Sequence, residues 1–238
     1  MFEGVPTCGL LRSTSARAPS TTPCTSIDSV EWSTSFSHSI TGNPFVATEA
    51  IVRQWLRDDL LASASTPIEA VYEFWVPRSN ERADVAVIGS QMMGFEIKTE
   101  RDTLKRLPRQ IAAYDRLFDR CAVVLAERHV TAAMSIVPEW WGVIAIVTED
   151  GQSFLRSMKS ATPNNGVDPQ TLVRLLWREE VRVALAALGN EPDPRASRLS
   201  MWNDLLDLIN LNQLKATVRS AILTRIPTRR FCAAEIST

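Results

Sequence analysis

The 238-residue chain lacks three things whose absence narrows its class. It has four cysteines, Cys8, Cys24, Cys121 and Cys232, far apart and without a C-x-x-C pair. That spacing argues against a structural zinc or a disulfide framework and fits a reducing, cytoplasmic setting. It has no apolar run near the roughly 18 residues needed to span a bilayer, so no membrane partner is expected. It also lacks net charge: the formal value is −1, so any nucleic-acid contact must come from local patches. What is present is 45% hydrophobic and 22% charged, which suits one globular domain with an appendage.

Residues 1–40 are rich in Ser, Thr and Pro without sustained periodicity, and read as a disordered tail. An α/β domain is expected over residues 41–160 and a helical extension over 161–238. Asn43 before Pro44 signals a helix start, with Phe45, Val52, Leu56 and Leu60 on one face through about Ala62. Glu49 shares that face; it either pairs with Arg53 four residues on or reaches toward the sheet. Alternation predicts strands over 70–76, 82–88 and 92–98, with Gly89, Ser90 and Gln91 as the turn of a hairpin. In that register Asp84 falls opposite Glu96, and Glu96 and Lys98 share a face. Glu73 on the preceding strand could approach the same patch, although edge solvation is the simpler expectation.

Two carboxylates and a lysine converging on neighbouring strands permit a hard-oxygen site. Asp84, Glu96 and the main-chain carbonyl of Ile97 would hold Mg²⁺, with Mn²⁺ as the alternative. An exposed sheet edge with a Lys98–Glu96 pair of little net energy accounts for the same residues. A helix beginning at Pro108 and running to about Asp119 follows, its buried face Leu107, Ile111, Leu117 and Phe118. From Lys98 to Arg120 there are seven Lys/Arg against four Asp/Glu, and Lys105, Arg106 and Arg109 crowd the helix start. A basic helix N-terminus is a docking site for phosphate, so these three are the expected DNA contacts.

Asp84 followed one hairpin later by Glu96, Ile97 and Lys98 resembles the PD-(D/E)XK nuclease signature. Gln110 and Tyr114, one helical turn apart, resemble the Q-x-x-x-Y element of its exonuclease-like branches. The run from Gly94 to Asp119, continued by ERH and PEWWG, is similar to a bacterial and phage family of unassigned function in that superfamily. Ala83 stands where the superfamily name has Pro. The resemblance implies a restriction-endonuclease-like core, a small mixed sheet flanked by helices. It implies a Mg²⁺-dependent deoxyribonuclease with Asp84, Glu96, Lys98, Gln110 and Tyr114 as catalytic residues and Glu49 as a further carboxylate. A non-catalytic nucleic-acid-binding or scaffold subunit retaining the fold is the alternative.

Downstream, strands are expected over 121–126, 142–148 and 153–158, the last two joined at Asp150-Gly151. Cys121 should be a buried strand residue, His129 a packing or capping residue, and one of Trp140 and Trp141 should sit beneath a helix. Asp168 and Pro169 start a helix read through Leu188 to a stop at Gly189. Residues 201–223 read as one or two amphipathic helices, and Lys215 to Arg230 holds five basic residues and no acidic one. These helices leave open a DNA-binding module, a homodimer or partner-protein contact, or a lid on the core.

Overall fold

A computed structural model describes residues 47–64 and 67–234, with side chains to residue 226. The expected tail and the Asn43-Pro44 helix start lie outside the described residues. Helix α1 (Glu49–Ser63) is described from its N-cap Thr48 onward. Among the described residues a six-stranded sheet follows: β1 (Glu69–Trp75), β2 (Arg82–Ile88), β3 (Met92–Lys98), β4 (Arg120–Ala126), β5 (Gly142–Glu149) and β6 (Gln152–Lys159), in that spatial order. The outer pairs are antiparallel, while β3, β4 and β5 run parallel. Crossovers between the parallel strands carry α2 (Leu107–Tyr114) and the short α3 (Val130–Met134). Helices α4 (Pro169–Leu172), α5 (Arg178–Ala187), α6 (Arg198–Leu208) and α7 (Leu211–Ala234) follow the sheet. The result is an α/β protein with a mixed sheet flanked by helices.

Strand period accounts for two separate cores. Val85, Val87, Phe95 and Ile97 face α1, where Val52, Trp55, Leu56 and Leu60 meet them. Ala86, Ile88 and Met92 face the opposite way, joined by Val123, Leu125, Tyr114, Phe118 and the later helices through Val181, Leu205, Leu214 and Val218. The central strand β3 is buried along its whole length because both faces are covered. Gly94 is required there: a Cβ at that position would lie 2.5 Å from the ring of Phe118. Cys121 is buried, as its strand position implied.

Two expected helices are shorter than read. α2 ends at Tyr114, since residues 115–118 fold into a turn closed by the Leu117 and Phe118 amides on the Tyr114 carbonyl. The helix expected from Pro169 to Leu188 breaks at Leu176 and Trp177, both extended. Leu172, Val173, Leu175 and Leu176 are all buried, and one helical face cannot bury so consecutive a run. The Gly189 stop is present, with φ +77°.

Candidate functional site

The hairpin pairs in the expected register, Ile88 with Met92 through Val85 with Phe95. The ladder stops one pair short of Asp84 and Glu96. There the Asp84 side chain replaces a main-chain acceptor: its Oδ2 takes the Ile97 N–H at 2.7 Å. The two carboxylates thus come to the same end of the hairpin but have different partners.

Glu96 is almost wholly buried and is surrounded by donors. Lys98 Nζ and Gln110 Nε2 both donate to Oε1, and the Tyr114 hydroxyl lies 2.5 Å from Oε2. The Lys98 side chain is also buried, so this is an ion pair held away from solvent and not a loose surface pair. Helix α2 supplies both neutral partners because Gln110 and Tyr114, four residues apart, project on one face. Burial, with the Glu96 charge and the hydrogen bond to it, pushes the Tyr114 hydroxyl well above its ordinary pKa and keeps it neutral. Asp84 is pushed up to about 7, first by burial and next by the Glu96 charge, against the opposing pull of the Ile97 N–H.

A second cluster forms around Arg53. Its guanidinium donates to Glu49 and to Glu73, and stands 3.8 Å from Asp84 Oδ1. Burial lowers the Arg53 pKa, but the bond to Glu73 and the Glu49, Glu73 and Asp84 charges outweigh it, and the net shift is upward. Oxygens of Glu49, Glu73 and Asp84 lie within 4.8 Å of one another, close enough to share an ion. Glu73 reaches this position with φ 51°, a conformation a non-glycine residue adopts at a cost of order 1–3 kcal/mol.

Asp84 and Glu96, expected to share an ion, stand in different surroundings. Glu96 is saturated by protein donors, and Asp84 is drawn toward Ile97 and Arg53. The group with ligand-like spacing contains Glu49, Glu73 and Asp84 in place of the Asp84–Glu96 pair.

At the start of α2, Arg106 and Arg109 are not free. Both grip the buried carboxylate of Glu81, at 3.0 and 2.6 Å. Burial alone would raise the Glu81 pKa, yet the two arginine bonds outweigh it and lower the pKa. Still, 62% and 71% of the two arginine side chains remain exposed, and Lys105 is exposed beside them. His129 is buried, Trp141 is buried against Tyr114, and the Trp141 indole donates to Asp115. Trp140 covers the edge of that cluster. Arg53, Glu73 and Glu81 organise the site; the sequence left open the Glu49–Arg53 pair and an approach of Glu73 to the patch, and gave Glu81 no part. The one available signal for Arg53 was its position four residues after Glu49.

Fold and site together define a mixed α/β protein with a self-neutralised buried charge network at one end of its central hairpin. The chain belongs to the Bacteriophage P4 protein cII family, whose model matches residues 46–234. It is similar to Protein cII of Enterobacteria phage P4, 29% identical over 173 residues that make up 72% of this chain. The aligned stretch covers 64% of that relative, less than two thirds of its length. No solved structure matches the chain.

This family assignment corrects the nuclease reading. The PD-(D/E)XK membership, the deoxyribonuclease activity and the hydrolase class inferred from Asp84, Glu96 and Lys98 give way to the phage P4 cII family. The motif misled because a short D…E-x-K with Q-x-x-x-Y is also what a buried carboxylate needs for neutralisation: one cation, one amide and one hydroxyl. Among the described residues no helix is long and apolar enough to cross a membrane.

Proposed function

We propose that this chain is a DNA-binding regulatory protein of a phage, working in the host cytoplasm by occupancy and not by hydrolysis. The observation that carries the reading is the cationic shelf at the start of α2. Arg106 and Arg109 converge on the single buried Glu81, and Lys105 stands exposed beside them, so the cations outnumber the anion. Glu81 pre-orders the two guanidinium groups without covering them, which lowers the entropy cost of presenting both to a phosphate backbone. Pro108 in the first turn marks the N-terminal end of α2 at the same place, where the helix dipole favours a phosphate. Glu96, Lys98, Gln110 and Tyr114 then serve as the internal brace that fixes α2 on the hairpin. Within this reading the order helix, three antiparallel strands, helix, parallel strand is a restriction-endonuclease-like frame used as a scaffold.

Fluorescence-anisotropy titration of labelled duplex DNA over a series of salt concentrations tests the proposal. Affinity should fall linearly with the logarithm of salt, by about 0.9 in slope for each phosphate neutralised. Reversing Lys105, Arg106 and Arg109 to glutamate in a Glu81→Gln background, which leaves no buried carboxylate stripped of its arginines, should flatten that slope with an unchanged thermal melt, while the duplex is recovered intact in Mg²⁺ buffer. A slope unchanged by the triple substitution would place the DNA path elsewhere.

A further inference from the structure

A cleft of about 820 Å³ runs along the open edge of β1, between that strand and the helices that follow residue 168. Two residue types stand out on its otherwise largely apolar walls. Trp75, Trp177 and Trp202 contribute indole rings, with Trp75 and Trp177 about half exposed. Arg78, Arg174, Arg198 and Arg225 contribute guanidinium groups, against the single carboxylate of Glu73. Arg174 and Arg198 both stack on Trp202, at 4.9 and 4.8 Å, and Arg225 stacks on Trp177 at 4.3 Å.

The polar groups of the cleft are donors short of acceptors. Arg225 is engaged by Glu180 and the Leu175 carbonyl, and Arg78 stands 3.7 Å from the Asp168 carboxylate. Arg174 and Arg198 form no ion pair among the described residues, and Arg174 Nε has no hydrogen-bond partner there. Trp202 is 6% exposed, and its indole N–H likewise has no partner. Stacking pre-orients the guanidinium planes, so that each presents its N–H edge as a rigid unit. Surplus positive charge and the half-exposed faces of Trp75 and Trp177 define the occupant: phosphates for the arginines and flat bases for the two indoles.

We infer that this cleft binds single-stranded nucleic acid, Trp75 and Trp177 stacking on bases and the arginines, two of them ordered on Trp202, holding the backbone. Duplex DNA does not fit it, because paired bases keep their faces inside the stack and offer an indole nothing to cover. A strand-adding acidic peptide also fits poorly. Glu73, with φ 51°, interrupts the extended backbone in the middle of β1, so a continuous ladder cannot form along that edge. Arg78 lines both the cleft and a smaller hollow of about 280 Å³ that also takes in Arg109 and Arg116. The cleft therefore adjoins the cationic shelf proposed for duplex DNA but draws on different side chains.

The experiment uses the full chain with a labelled oligothymidine of about 10 nucleotides, a length within the range of single-strand sites. Tryptophan fluorescence should quench on binding. Trp75→Ala should weaken binding about tenfold or more, the effect of losing one base–aromatic stack. Arg198→Glu should weaken it and reduce its salt dependence. Both positions are exposed, and an unchanged thermal melt confirms the fold of each variant. The Lys105, Arg106 and Arg109 reversal should retain oligothymidine binding while losing duplex affinity, which separates this site from the shelf. Equal affinity of the cleft for duplex, tighter binding of polyglutamate than of oligothymidine, or no loss in Trp75→Ala and Arg198→Glu would each overturn the inference.

Discussion

The Tyr114 hydroxyl lies 2.5 Å from Glu96 Oε2 and 2.8 Å from the main-chain oxygen of Arg82, with one proton to serve both acceptors. Helix α2, strand β3 and the start of β2 are thus joined at a single atom. Tyr114→Phe leaves a buried carboxylate oxygen and a carbonyl short of a donor. It should cost about 1.5–3 kcal/mol in denaturant unfolding, in line with hydrogen bonds to charged groups. A loss below about 0.5 kcal/mol, the scale of neutral surface changes, would mean that water replaces the hydroxyl.

Asp84 gives the fold a distinctive response to pH. Its carboxyl titrates at about 7 in the folded chain against an ordinary value of 3.8. Between those values the folded state holds the extra proton, so stability from this group is greatest at low pH and falls as pH rises toward 7. The slope is at most about 1.4 kcal/mol per pH unit. Asp84→Asn keeps an acceptor for the Ile97 N–H and removes the charge. Its unfolding midpoint should therefore change less than that of the wild type between about pH 5 and about pH 8, a span that brackets the folded-state titration. The variant should be the more stable protein at the upper end. Parallel profiles for the two proteins would sink this account.

Arg53 occupies the place where a cation would neutralise Glu49, Glu73 and Asp84. A divalent ion, Mg²⁺ or Mn²⁺, would have to displace it. Arg53→Ala should therefore bind Mn²⁺ at least about tenfold more tightly than the wild type by calorimetry, since a like charge a few ångström away costs kcal/mol. Equal, weak heats from both proteins would show that the three carboxylates are held too far apart or too well solvated.

Gly94 and Phe118 form a tight pair, because a Cβ would fall 2.5 Å from the ring. Gly94→Ala should lose about 1–3 kcal/mol through overpacking, and Gly94→Ala with Phe118→Leu should recover part of it. Additive losses in the double variant would place the strain elsewhere.

The hairpin, its register and the positions of all six strands were legible, because period-two alternation and the Gly89-Ser90-Gln91 turn are local signals. The resemblance gave Gln110 and Tyr114 a catalytic part; the structure sets both against Glu96 from one face of α2. Of the two arginine arrangements only the Arg53–Glu49 pair, four residues apart, was legible. Arg53 meets Glu73 across 20 positions and Arg109 meets Glu81 across 28, pairings that tertiary packing decides and no local pattern records. The break at Leu176 was missed for a related reason: helix propensity runs through it, and burial of a consecutive apolar run overrides propensity. Function was misread because a charge constellation of limited length serves both catalysis and internal neutralisation.

Asp119 joins regions far apart in sequence: its side chain accepts the Met92 N–H at 2.8 Å and bonds Lys215 of α7 at 2.7 Å. Its main chain bonds Met92 and Asn164. Loosening α7 therefore removes the countercharge of the residue that anchors the first residue of the central strand. Melting of the last helix and of the sheet should be a single cooperative event, so a protease cut between α6 and α7 would report global unfolding and would release no autonomously folded fragment.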